Sequence, residues 1–191
     1  MKRKRLIIIV HIMMITQTYF FLPLIPVYAK QFGVAQYLIG QLIFFYNLPM
    51  GFLKIYIGYL IDKIGSKKIL LVINILFVIG ILFYFNPSSF YMLAIGQFIS
   101  GISRASFMAA TSFYFSEMDE DKRGRNLGIR TAGTGIGFFV GPLIGGFISD
   151  YFGYYYIFYI LIITLILTFL IILKLPPIKV KRKNERKITP A

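Results

Sequence analysis

The stretch Gly58-Tyr59-Leu60-Ile61-Asp62-Lys63-Ile64-Gly65-Ser66-Lys67-Lys68 decides how this chain is read. It has an echo 88 residues on, at Gly146-Phe147-Ile148-Ser149-Asp150-Tyr151-Phe152-Gly153. Both run glycine, aromatic, aliphatic, any residue, Asp, any residue, apolar, glycine. They close the second and the fifth of six apolar segments, near residues 6–28, 37–60, 69–86, 90–115, 127–149 and 154–174. About 20 apolar residues in a helix cross the ~30 Å hydrocarbon core, and the third segment is the tightest fit. None of the segments alternates with period two, which excludes barrel strands. After the motif one copy continues Ser66-Lys67-Lys68 and the other Tyr154-Tyr155-Tyr156. Lysines suit the inner face of a membrane, and tyrosines suit an interface. The pattern predicts an all-α integral membrane protein, a six-transmembrane-helix bundle of two three-helix repeats with opposite topology.

Composition agrees. Of 191 residues 58% are hydrophobic, against roughly 45–50% in soluble domains. The net charge of +14 would suggest nucleic acid in a soluble protein, but its placement argues otherwise. All Lys and Arg except Lys30, Lys54 and Arg104 fall in four places. These are the N-terminus (1–5), the loop after the second segment, the loop before the fifth with Arg130 just beyond it, and the tail (175–191) together with Lys174 at its start. The positive-inside rule then puts both termini in the cytoplasm, which requires an even number of spans. A cleaved signal peptide ending at Val27-Tyr28-Ala29 competes, but the apolar stretch is too long and carries Pro23 and Pro26. The basic tail reads as a solvated connector ahead of a lipid-facing patch. With no Cys and a single His, neither a disulfide, a metal site nor a cofactor is expected. Nucleic acid is not an expected partner. The expected setting is the lipid bilayer of the cell membrane.

Three motifs carry a resemblance. The first is Gly58-x-Leu60-x-Asp62-Lys63-x-Gly65-Ser66-Lys67-Lys68, read as the loop after the second span. The second is Gly137-x-x-x-Gly141-Pro142-x-x-Gly145-Gly146 in the fifth. The third is Lys122-Arg123-Gly124-Arg125 before it. Over all six spans the chain resembles the N-terminal half of a major facilitator superfamily transporter, with an efflux-type fifth-helix motif. Ser66 departs from the family pattern, where a basic residue is usual. The resemblance implies that Gly58, Asp62, Lys63, Gly65, Lys67 and Lys68 latch one conformation of a transport cycle. The plainer alternative is that the lysines only set topology. Arg123 and Arg125 are candidate partners for Asp62. Gly133, Gly137, Gly141 and Gly145 recur every four residues and form one slowly turning stripe that lets another helix come close. Pro142 removes a backbone hydrogen bond beside that stripe. The stripe suits either a flexing helix or static tight packing.

The intramembrane polar residues complete the candidate site. Arg104, midway along the fourth span, carries an insertion penalty of ~2.5–3.5 kcal/mol and is expected to face the bundle interior. The family's fourth-helix arginine would fall at the position of Gln97; Arg104 lies two turns further on, on almost the same face. Arg104, Gln97, Gln17 and Asn47 are therefore candidates for a substrate cavity, with carbonyl capping the alternative for Arg104. His11 is the one candidate proton carrier, although an interfacial histidine is the plainer reading. No Asp or Glu lies deep in a span.

The resulting expectation is transmembrane transport of a small solute by alternating access, with a second six-helix half supplied by a missing domain, a partner chain or a homodimer. A truncated or non-transporting scaffold is the alternative. A membrane enzyme is disfavoured, because Ser100 and Ser103 have no histidine base deep in a late helix.

Overall fold

The computed structural model describes residues 2–117 and 122–177. Residues 118–121 and the basic tail from 178 onward lie outside it, with Lys179, Lys181, Arg182, Lys183, Arg186 and Lys187. The described residues are helical, with no strand among them. The first segment is α1 (Lys2–Phe21), a 3-10 turn (Leu22–Leu24) and α2 (Ile25–Gln31). The break falls where Pro23 and Pro26 remove backbone donors. Then come α3 (Gln36–Ile64), α4 (Ser66–Leu82), α5 (Phe90–Glu117), α6 (Arg123–Tyr151) and α7 (Tyr154–Leu173). By length and composition four stretches can cross a membrane: Lys4–Gln31, Gln36–Ile64, Arg123–Tyr151 and Tyr154–Leu173. The 17-residue α4 spans ~25 Å. In α5 a run of polar and small residues lowers the hydropathy, but that run is buried inside the bundle.

Two boundaries correct the sequence reading. The motif expected in a loop is mostly helix, because nothing from Gly58 to Ile64 interrupts the turns of α3. The break is Gly65 alone, at φ +87° and ψ 149°. Likewise α6 begins at Arg123, so Arg123 and Arg125 sit in its first turn and not in a preceding loop. At the other end of the molecule Gly153 has φ +87° and ψ 167° and separates α6 from α7. Such a backbone is close to glycine-only territory. Gly65→Ala and Gly153→Ala are each expected to cost about 1–3 kcal/mol, read as lowered thermal unfolding midpoints in detergent. Unchanged midpoints in both would mean that the turns do not hold these helices.

The helices pack in pairs. α6 lies along α1, α3 lies along α5, and α4 covers the other flank of α5, while α7 closes against α1 and α4. Small residues make the contacts close. A Cβ on Gly141 would come within 2.8 Å of the Thr16 carbonyl oxygen and 2.9 Å of the Phe20 amide nitrogen. One on Gly145 would strike the Phe20 carbonyl oxygen, and one on Gly101 the Tyr46 carbonyl oxygen.

The apolar core is in two parts. One, near the chain start, gathers Ile7, Val10, Ile61, Leu70, Phe107, Tyr114 and Ile172. The other gathers Phe20, Phe21, Tyr28, Leu42, Ile81, Tyr84, Leu93 and Phe158. Between them on four of the helices stand buried polar residues: Gln17 and Thr18 on α1, Asn74 on α4, Gln97, Ser100, Ser103 and Arg104 on α5, and Thr168 on α7. Every polar group in that layer gives up water, so each one needs a partner or a use.

Candidate functional site

The mid-depth polar layer is built by spacing. Gln97, Ser100 and Arg104 follow one another by three and four residues, which puts them on one face of α5. While the Ser100 hydroxyl lies against Gly80 of α4, at Arg104 that face looks across a seam toward α1. The two backbones scarcely meet there; Thr18, Met14, Tyr19 and His11 of α1 and Arg104 and Phe107 of α5 fill the space between them.

Arg104 is 8% exposed. Its Cζ lies 5.4 Å from the centroid of the Tyr19 ring, a cation–π contact. Its Nη1 is buried without a hydrogen-bond partner. The carbonyl capping weighed for Arg104 is found at Arg130 instead, whose Nη2 donates to the Met108 carbonyl at 3.4 Å. The amide of Gln97 and the hydroxyl of Tyr46 are also buried without partners, while the Tyr84 and Ser100 hydroxyls act on each other. Arg104, Ser100, Ser103, Thr18, Met14, Phe77 and Phe107 enclose a gap of about 10 Å³.

The other cavity candidates fall elsewhere. Gln97 shares the α5 face but is wholly buried. Gln17 turns toward α7, where its Nε2 donates to Thr168 Oγ1 at 3.0 Å. Asn47 is on an exposed face of α3 and donates back to the Ile43 carbonyl at 2.9 Å. His11 is not interfacial with respect to the bundle: it is 1% exposed. It stacks on Phe107 with ring centroids 5.4 Å apart, and its Nε2 is 2.9 Å from Thr134 Oγ1. The ring is therefore packed between two phenylalanines and a threonine inside the bundle.

A second feature lies at the end of the molecule where α3, α5 and α6 meet. Gly58, Asp62, Ser112, Ser116, Arg123 and Arg130 line part of a cleft of about 620 Å³. The structure thus brings Asp62 and Arg123 to one cleft, although no ion pair joins them among the described residues. Gly58 is not a point of close approach, since a side chain there would enter open space. Lys67, just after the α3–α4 turn, donates to the Leu173 carbonyl at 2.7 Å, capping α7. Lys63, Lys68 and Arg125 are exposed.

The α6 stripe is a contact surface. Gly133, Gly137, Gly141 and Gly145 are buried against α1, and Pro142 sits inside the helix beside them. Gly146 is off the stripe, with nothing within 4 Å of where a Cβ would lie. No group of His, Cys, Asp and Glu that could hold a metal exists among the described residues. Sequence reasoning missed Tyr19, Tyr46 and Ser100. The signal for Ser100 was present, three residues after Gln97 and four before Arg104. Tyr19 and Tyr46 read as ordinary aromatic residues until α1 and α3 are seen to flank that face.

Comparison with known proteins bears on what this arrangement does. The Major Facilitator Superfamily model matches residues 7–190. The chain is also similar to the quinolone resistance protein NorA of Staphylococcus aureus, in strains Mu50, N315 and COL. It is 26% identical to each over 122 residues, covering 63% of this chain and 31% of each relative. The match therefore spans less than a third of the length of those curated relatives.

Proposed function

Since the chain belongs to the Major Facilitator Superfamily, we propose that it is one six-helix half of a membrane transporter that moves a small solute by alternating access. The observation that carries this is the polar layer held between two apolar cores. In water-soluble packing such a layer is a liability; at the middle of a membrane it is where transporters bind. The similarity to a quinolone resistance protein makes outward transport of a quinolone-like solute the first substrate to test.

The six spans form two inverted three-helix repeats. Two features support this. α3 and α6 are both 29 residues long, and glycines at φ +87° follow them. The packing also interchanges, for α3 lies on α5 as α6 lies on α1. Among the described residues Lys63, Lys67, Arg123 and Lys174 stand at helix ends on one side of the bundle, which supports cytoplasmic termini. Asp62, Arg123 and the α3–α4 turn then form the cytoplasmic latch, and the α1–α6 glycine contact is the surface on which that half shifts. The second half, from a partner chain, a further domain or another copy, closes the solute site from the opposite side.

Two experiments test this. Because the chain has no cysteine, single cysteines placed at Lys4 or Thr189 report topology without background. Both are expected to resist an impermeant maleimide in intact cells and to react after permeabilisation. A C-terminal cysteine labelled from outside would overturn the six-span arrangement. For transport, the chain is purified from its own membrane together with whatever six-helix half holds to it, and reconstituted in liposomes. Those liposomes are expected to move a quinolone at least several-fold faster than protein-free ones. Equal rates in the two would remove the efflux reading.

A further inference from the structure

We propose that Arg104 is the anchor for an anionic group, the carboxylate of the solute itself, within the seam between α1 and α5. The proposal rests on the transporter reading above and narrows its substrate to solutes that carry a carboxylate, or a group of the same charge and size.

Four observations lead there. Arg104 is more than nine-tenths buried, and its Nη1 meets no acceptor. The nearby ionisable groups that act on it or on its neighbours are Arg130, His11 and the phenols of Tyr46 and Tyr19, none of them a carboxylate. Among the described residues the spans hold no carboxylate near this depth, since Asp62 and Asp150 are exposed at helix ends and Glu117 closes α5. The gap that Arg104 borders is about 10 Å³, on the order of room for one water-sized group. The Ser100 and Ser103 side chains also border it.

These observations select the sign of the ligand. A guanidinium presents planar paired donors that match a carboxylate, and in a dry seam such a pair is strong because little water competes. A cation brought to the same point meets Arg104, with Arg130 close by, and no counter-charge. The size of the gap selects an oxygen rather than a whole solute. Tyr19, half-buried, offers its ring to Arg104 and meets Phe138 edge-on at 4.7 Å. An aromatic body beside the carboxylate would lie against these rings.

The test uses the full chain in phosphatidylcholine nanodiscs and equilibrium dialysis of radiolabelled benzoate, with benzylammonium as a probe of the same shape and opposite charge. Saturable benzoate binding is expected, with at least 10-fold weaker retention of benzylammonium. Binding that persists in excess chloride supports a solute carboxylate. Full displacement by millimolar chloride would instead assign the site to a resident halide and overturn the substrate class. Arg104→Gln is expected to weaken benzoate at least 10-fold. Arg104→Lys, which keeps the charge if the glutamine variant fails to fold, should retain part of the binding. Equal binding of both probes, no saturable benzoate binding, or unchanged binding in a folded Arg104→Gln would overturn the proposal. Quinolone flux plays no part in this readout, so a failed transport assay and a failed anion assay point to different errors.

Discussion

Gly145→Ala is expected to destabilise the purified protein by about 1–3 kcal/mol, the usual cost of overpacking, whereas Gly146→Ala, one residue on, is expected to be neutral or slightly stabilising. The two positions share a helix, a neighbourhood and a substitution. They differ in what a methyl group would meet. At Gly145 it is the Phe20 carbonyl oxygen of α1, and a backbone atom cannot rotate away as a side chain can. At Gly146 it is open space, so the residual effect is the gain in helix propensity, on the order of 0.5–1 kcal/mol. Both variants receive that gain, and the difference between them isolates the α1–α6 contact. Gly141→Ala belongs with Gly145, since its methyl would crowd both the Thr16 carbonyl and the Phe20 amide. The measurement is the thermal unfolding midpoint in one detergent or nanodisc for all three. If Gly145→Ala and Gly146→Ala melt together, the helices can separate at no cost, and the stripe is a sliding surface without a preferred seat.

The glycine stripe also shows what was legible in the sequence and why. A four-residue repeat of glycine has one plain physical meaning, a surface without side chains, and the structure puts a backbone against it. Helix ends were legible only where a residue forces the backbone, as at Gly65 and Gly153. They were misread where a motif looked like a loop, because Gly58 through Ile64 has no feature that stops a turn. The polar site was half legible. Arg104 stood out by its insertion cost, and Gln97 and Ser100 share its face by spacing alone. Gln17 and Asn47 were indistinguishable from them, since a helical wheel does not tell which neighbour a polar face meets. Gln17 meets Thr168 of α7, 151 residues away in the chain, and no local pattern encodes that. The surroundings of His11 were illegible for the same reason. Its place in sequence is close to a basic terminus, but its place in space is between Phe107 and Phe115.

Replacing Arg104 by methionine is expected to stop transport while leaving the fold as stable as before or more so. The usual outcome of removing a buried, packed side chain is loss of stability, and the opposite expectation follows from magnitudes. Arg104 gains a cation–π contact with Tyr19, worth ~1–2 kcal/mol when desolvated. Against that stand an insertion penalty of ~2.5–3.5 kcal/mol for a mid-span charge and a buried Nη1 with no acceptor. Methionine keeps most of the stem, which borders the same gap as Phe107 and Met14, and removes the charge, so the balance favours the variant by on the order of 1–2 kcal/mol. Transport, read as solute flux into liposomes from the assembled transporter, is expected to fall at least 100-fold, equivalent to about 2.7 kcal/mol of lost binding in the transition between states. The two measurements separate the roles cleanly. A residue held for packing would lose stability and function together, and a residue held for chemistry would lose function alone. A variant that unfolds earlier than the parent and still transports would make Arg104 a structural side chain. One that is stable and inactive shows a protein that carries a destabilising charge at its centre because the solute needs it.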